Sequence, residues 1–72
     1  MKYSLFVRTD ENPLPRLCDF VVVYDSILAY HLKSSTIDLW IRKGTLKRII
    51  DTGGIVTPGD CEIFTEREEK TV

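Results

Sequence analysis

The sequence predicts a single α+β domain in which a pair of β-strands precedes two short helices and a β-hairpin. Three observations predict this order: two runs of β-forming residues open the chain, two capped apolar segments follow, and a Gly-Gly pair separates two further apolar runs. With 72 residues, the chain (residues 1–72) is one domain. A core of this size supplies only about 3–5 kcal/mol of net stability, so dimerisation or docking on a partner would not be surprising.

The N-terminal part, residues 1–24, predicts a pair of strands. Residues 3–7 are mostly aromatic, apolar or β-branched, and residues 20–24 contain three consecutive valines, whose branched side chains disfavour a helix. Residues 10–15 between them form a loop, because their two prolines do not fit a central strand.

The apolar residues of segment 25–44 fit both the spacing of a helix and the alternation of a strand. In the helical interpretation, Ser35 caps the second helix, Gly44 ends it, and Ile37, Trp40 and Ile41 share one face. Asp25 or Ser26 caps the first helix.

The alternative is an all-β meander, in which Ile37, Leu39 and Ile41 alternate with more polar neighbours at period two. The caps and the stop favour the two helices, so we take them as the prediction and keep the meander as the alternative.

The sequence from residue 46 onward predicts a β-hairpin followed by a short helical element. Residues 46–50 and 55–56 are its strands, and Gly53 and Gly54 form its tip because glycine tolerates positive φ. Thr57 and Pro58 then begin a final helical element as N-cap and first helical residue. Residues 67–72 are expected to be a flexible tail.

The charge is unevenly distributed along the chain. The formal net charge is -1, but residues 33–50 carry +4 and residues 51–72 carry -4. Such a basic segment indicates a surface that faces a polyanion.

Two helices joined by a tight turn and followed by a β-hairpin make a winged helix-turn-helix order. Residues 35–47 resemble the recognition-helix segment of phage excisionases and of the MerR-type DNA-binding domain: a Ser-Thr cap, then Trp40 followed by an apolar residue and Arg42, then Gly44 and Leu46. The resemblance covers residues 25–66. It implies a small transcription or recombination regulator that binds double-stranded DNA as a homodimer or beside another protein.

The resemblance also implies which residues contact DNA. Ser35 and Thr36 would bind a phosphate, and Arg42 a guanine edge or a phosphate. The complete predicted DNA-binding set is Ser35, Thr36, Leu39, Arg42, Lys43, Lys47 and Arg48.

An alternative function is a small phage-type regulator or inhibitor that binds protein. The departures from the family pattern favour it, because Asp38 places a negative charge near the DNA and Leu39 stands where a polar base reader is usual. The expected target is a host machine such as RNA polymerase. The predicted protein-binding residues are Val21, Val23, Leu39 and Trp40.

Other chemistry is not indicated. Cys18 and Cys61 lie far apart and form neither a disulfide framework nor a close-spaced pair of metal ligands, and His31 is the only histidine. We therefore expect no enzyme, no cofactor and no metal. Neither a signal peptide nor a membrane span is visible, which predicts a cytoplasmic protein.

Overall fold

A computed structural model of the chain describes residues 1–65, which form one antiparallel sheet and one helix. The predicted tail, residues 67–72, lies outside this part. The elements are β1 (Lys2–Val7), β2 (Arg16–Asp25), β3 (Ala29–Lys33), β4 (Ile37–Arg42), α1 (Lys43–Thr52) and β5 (Glu62–Thr65). The sheet order is β1-β2-β3-β4-β5, so each strand pairs with its neighbours in the sequence.

The two N-terminal strands are confirmed. β1 and β2 pair antiparallel, from Lys2 opposite Val21 to Val7 opposite Arg16. The register of β2 against β3 then shifts between Val22 and Tyr24, which marks a β-bulge. A bulge of this kind inserts one extra residue and increases the local twist of the strand.

The two helices predicted over residues 25–44 are wrong, because this segment forms β3 and β4. The serines interpreted as helix caps, Ser26 and Ser35, lie in the turns before β3 and β4, and in the second turn it is the neighbouring Ser34 that makes the hydrogen bonds. Ser26 Oγ donates to Ala29 O (2.9 Å) and accepts from its N–H (3.1 Å), and Ser34 makes the same pair of bonds with Ile37 (3.0 and 3.1 Å). Serine side chains stabilise both arrangements, so they do not select the helix.

The meander alternative describes β4 correctly. Ile37, Leu39 and Ile41 are buried and alternate with more exposed residues. Leu39 lies between Leu32 of β3 and Ile63 of β5 in the sheet register, so this inward-facing residue has an apolar neighbour on each side. The fold is therefore mostly β. Since residues 1–65 contain a single helix, the winged helix-turn-helix fold and the resemblance to excisionase and MerR-type domains are wrong.

Residues 46–50, predicted as a strand, lie in α1. Leu46 and Ile49 are one helical turn apart and both are buried against the sheet. Gly53 ends the helix with φ +65°, and the N–H of Gly54 donates to Ile49 O at 2.9 Å. The Gly-Gly pair predicted as a hairpin tip is thus a helix C-terminus, which requires the same positive φ.

The segment after α1 contacts β1, the first strand in the sheet order. Val56 forms a parallel bridge with Val7, in which Arg8 N–H donates to Val56 O and Val56 N–H donates to Phe6 O, both at 2.8 Å. A turn follows rather than the predicted helix start, because the Asp60 carboxylate accepts from the N–H and the hydroxyl of Thr57 (3.1 and 3.0 Å).

The core lies between α1 and one face of the sheet. Every strand except β5 contributes a fully buried residue, and α1 and Val56 close the layer. The core residues are Leu5, Val7, Phe20, Leu32, Ile37, Leu39, Ile41, Leu46, Ile49 and Val56. Within residues 1–65, no helix is long and apolar enough to cross a bilayer.

Replacing Leu39 tests the position of the core. Leu39→Ala removes a side chain that is 0% exposed, and we expect a loss of about 2–5 kcal/mol in the free energy of unfolding. Urea denaturation followed by circular dichroism measures it. Ile27→Ala, at a side chain 91% exposed, is the control and should change stability by less than about 0.5 kcal/mol. Equal effects of the two substitutions would place Leu39 outside the core.

A pair of glycine substitutions tests the helix boundaries. The φ of Gly44 is not positive, and a Cβ added there would meet open space, so Gly44→Ala should stabilise the protein by about 0.5–1 kcal/mol. Gly53→Ala forces alanine into a left-handed conformation and should destabilise by about 1 kcal/mol. Thermal denaturation of both variants gives the sign of each change. The same sign for both would contradict the assigned helix end.

Candidate functional site

The face of the sheet opposite α1 is uncovered by the rest of residues 1–65, and we call it the open face. Alternate residues of each strand point to it, and six large apolar side chains there are between 39% and 59% exposed. They are Phe6, Leu17, Val21, Tyr24, Trp40 and Phe64. Val23, at the bulge of β2, is also exposed.

An aromatic cluster occupies the centre of the open face. Tyr24, His31 and Trp40 stand opposite one another on β2, β3 and β4. The His31 and Trp40 rings are stacked, with centroids 4.6 Å apart and an interplanar angle of 14°, and the Tyr24 ring is tilted against Trp40 at 6.1 Å. Cross-strand contacts of this kind hold the rings in place, so they form a preformed apolar surface.

Several polar groups of the open face pair with one another. Asp38 Oδ2 lies 3.3 Å from His31 Nε2, and the Lys33 ammonium lies 3.9 Å from Asp38 Oδ1. Ser4 donates a hydrogen bond of 2.7 Å to Asp19. The charged residues that alternate onto this face are three basic (Lys2, Lys33, Arg42) and three acidic (Asp19, Asp38, Glu62). The open face therefore has no excess of positive charge.

The residues predicted to bind DNA are dispersed over the fold. Ser35 and Thr36 lie in the β3–β4 turn, and Leu39 is 0% exposed in the core, where no partner reaches it. Arg42 ends β4, and the remaining three residues, Lys43, Lys47 and Arg48, lie on α1. No single helix presents the whole set.

The cations of α1 are each close to a carboxylate. Lys43 lies 2.6 Å from Asp25, Lys47 lies 3.2 Å from Asp51, and Arg48 lies 3.8 Å from Asp60. The hydrogen bond from Lys43 to Asp25 raises the pKa of Lys43, which keeps it protonated. The cations of α1 thus lie beside carboxylates from β2, from the same helix and from the turn before β5, which reduces their attraction for a polyanion.

Three of the four predicted protein-binding residues are accessible. Val21, Val23 and Trp40 are exposed on β2 and β4, on or beside the open face, whereas Leu39 points to the core. Sequence reasoning missed Tyr24, Phe64 and the pair formed by Phe6 and Leu17. The sequence of β2 did indicate an exposed apolar face. Its apolar residues occur at both odd and even positions, which is typical of a strand with two apolar faces.

A separate groove of about 400 Å³ runs between the loop after β1 and the strand β5. Cys61 lines it together with Thr9, Asp10 and Ile63. Burial raises the pKa of the Cys61 thiol to about 11, and the neighbouring carboxylates of Asp60 and Glu62 add to the shift. The thiol is therefore protonated at neutral pH and a poor nucleophile. No group of three possible metal ligands occurs in the described part of the chain.

Comparison with protein-family models, with curated proteins and with solved structures finds no match for this chain. The geometry of the surface is therefore the basis on which a function can be inferred.

The raised pKa of Cys61 predicts slow alkylation of the native protein. At about pH 8 its thiolate fraction should be about 100-fold lower than that of a cysteine with the ordinary pKa of 9.0, since the two pKa values differ by about two. Iodoacetamide labelling in native buffer and in urea, with mass spectrometry of the Cys61 peptide, measures the ratio. Equal rates in both solvents would show that the thiol is exposed.

The same shift gives a pH dependence of stability. The folded state binds the thiol proton more tightly than the unfolded chain, so this contribution is complete below pH 9.0 and is lost as the pH rises toward about 11. Cys61→Ser should reduce the slope of unfolding free energy against pH in that window, as measured by urea denaturation. An unchanged slope would assign the dependence to other groups.

Proposed function

We propose that this chain is a small protein-binding regulator that docks a partner protein on the open face of its sheet. The observation that carries the proposal is the exposed aromatic cluster, with Trp40 at the centre of an uncovered face and further apolar side chains on β1, β2 and β5. Tyrosine, tryptophan and phenylalanine are enriched in the buried centres of protein interfaces.

The size of the open face fits the centre of an interface. Five strands spaced about 4.8 Å apart and about five residues long give a surface of about 400 Å². The largest apolar patch on a monomeric protein covers about 300–600 Å² and is often functional, and the apolar part of the open face lies within this area. A standard interface takes about 800 Å² from each partner, so the turns around the face would provide its polar rim.

The charge of the open face supports a protein rather than a nucleic acid as the partner. Polyanion binding requires unpaired cations that release counterions, whereas Lys33 lies beside Asp38 and the cations of α1 lie beside Asp25, Asp51 and Asp60. The family resemblance implied DNA binding through a recognition helix, and the segment predicted to form that helix is the strand β4 and the turn before it.

The partner that fits the open face best is an amphipathic helix. The chain already covers its opposite face in this way, because α1 places Leu46 and Ile49 on the sheet. A partner helix with the same apolar spacing would lie across Tyr24 and Trp40. A second copy packed face to face would bury a similar area, so the preference for a helix rests on its apolar spacing and not on the area buried.

A matched pair of variants tests the proposal. The wild-type chain should capture a protein from nuclease-treated cell extract, and purified RNA polymerase, the target expected from the sequence, is the first defined probe. Trp40→Lys places a charge in the aromatic cluster, and Val21→Lys places one between Lys2 and Lys33; each should weaken capture by about tenfold or more. Ile27→Lys adds the same charge at a turn residue that is 91% exposed and should leave capture unchanged.

The controls decide between the possible results. Thermal denaturation establishes that each variant is folded before binding is compared. Capture that disappears on nuclease treatment would assign the surface to nucleic acid. Capture that is the same for Trp40→Lys and the wild type would remove the open face from the interface.

A further inference from the structure

The outer edge of β1 is a second surface, separate from the open face. β1 is the first strand in the sheet order and pairs with β2 on one side. On its other side, within residues 1–65, the backbone hydrogen bonds are those with Val56, at the C-terminal end of the strand. Residues 2–5 therefore have no strand neighbour there in the described part of the chain.

The hydrogen-bond alternation shows which backbone groups point outward. Met1 O accepts from Val22 N–H at 3.2 Å, and in an antiparallel pair the bonded residues alternate, so Tyr3 and Leu5 direct their groups toward β2. Lys2 and Ser4 then direct their N–H and C=O away from the sheet. The bond from Val56 N–H to Phe6 O confirms this alternation, because Phe6 has the same parity as Lys2 and Ser4.

A cavity lies between the sheet and α1, and Tyr3 of the edge strand forms part of its wall. It has a volume of about 410 Å³, and its walls are Tyr3 and Tyr30 from the sheet and Leu46, Lys47 and Ile50 from the helix. The two tyrosine rings lie 6.0 Å apart. Because Tyr3 belongs to the edge strand, a further strand placed about 4.8 Å beyond β1 would direct every second side chain toward the cavity.

We propose that an extended segment of a partner protein binds as a sixth strand on β1 and places an apolar side chain in this cavity. The outward N–H and C=O groups of Lys2 and Ser4 provide the main-chain hydrogen bonds, and the cavity provides side-chain selectivity. Sheet edges are usually protected by proline, bulges or several charges. β1 has one lysine and neither of the other two protections.

The charges around the cavity select an apolar side chain over an acidic one. Lys43 lies over the Tyr30 ring, 4.8 Å from its centroid, and is paired with Asp25, while Lys47 is paired with Asp51. Each of these cations already has a carboxylate beside it, and the rest of the wall is aliphatic or aromatic. An aliphatic or aromatic side chain therefore gains the most from entering.

A second copy of this chain is a poorer occupant. Antiparallel pairing of two β1 edges would place Tyr3 opposite Tyr3 of the other copy, and each ring already lies against its own Tyr30. The cavity would then stay unfilled, and the contact would involve only residues 2–5 of each chain.

Two substitutions at Ser4 isolate the backbone contribution. Ser4→Pro removes an N–H that has no role inside the sheet and is tolerated at an edge position, while Ser4→Ala retains it and loses only the hydroxyl bond to Asp19. The probes are dodecapeptides selected from a random display library on the immobilised full chain. Fluorescence anisotropy should show about tenfold or greater weakening for Ser4→Pro and nearly wild-type affinity for Ser4→Ala.

A cavity variant and a site-specific readout complete the test. Ile50→Lys adds a charge to the cavity wall and should weaken the same peptides, whereas Ile27→Lys should not. Amide hydrogen exchange of Lys2 and Ser4 should slow on peptide binding. Equal affinity for Ser4→Pro and wild type, a failure to select any peptide, or self-association that Ser4→Pro abolishes would each overturn the proposal.

Discussion

One ten-residue helix packed against five strands is the constraint on which the structure depends. At a rise of about 1.5 Å per residue, α1 extends about 15 Å, whereas the sheet is about 24 Å wide. The helix covers the centre of one face, where Leu39 and Ile41 lie, and leaves the other face without cover. The cavity beside β1 arises in the same way, because α1 does not fill the space over Tyr3. Both proposed binding surfaces thus exist because one short helix covers only part of the surface of the sheet.

The strands that could be predicted from the sequence are those in which local preference and tertiary packing agree. The valines of β2 exclude a helix on their own, and the two prolines mark the loop before them. β4 was not decidable in this way, because Ile37 and Ile41 fit both a helix and a strand. Its conformation is set by the two residues that flank Leu39 in the sheet. Leu32 precedes it across a turn, and Ile63 follows it beyond the helix. No local pattern contains that information.

The candidate site shows the same limit. Trp40 and Val21 are recognisable in the sequence as apolar residues suited to a contact, but adjacent strand residues point to opposite faces, so Leu39 and Trp40 cannot share one surface. Choosing between them requires the strand assignment. The contribution of Phe64 requires more, since β5 joins the sheet only after the helix has returned the chain. The pairing of the cations with Asp25 and Asp60 likewise depends on the complete fold.

The order of the strands also has a consequence for how the chain reaches this structure. Most strand pairs join neighbours in the sequence across short turns, so each hairpin closes a small loop at little entropic cost. Such local topology favours rapid folding. The bridge between Val7 and Val56 is different, because it connects the first strand to the segment beyond the helix and can form only when nearly the whole chain is in place. This one contact makes the first strand and the helix interdependent, so an otherwise sequential series of hairpins becomes a single cooperative unit.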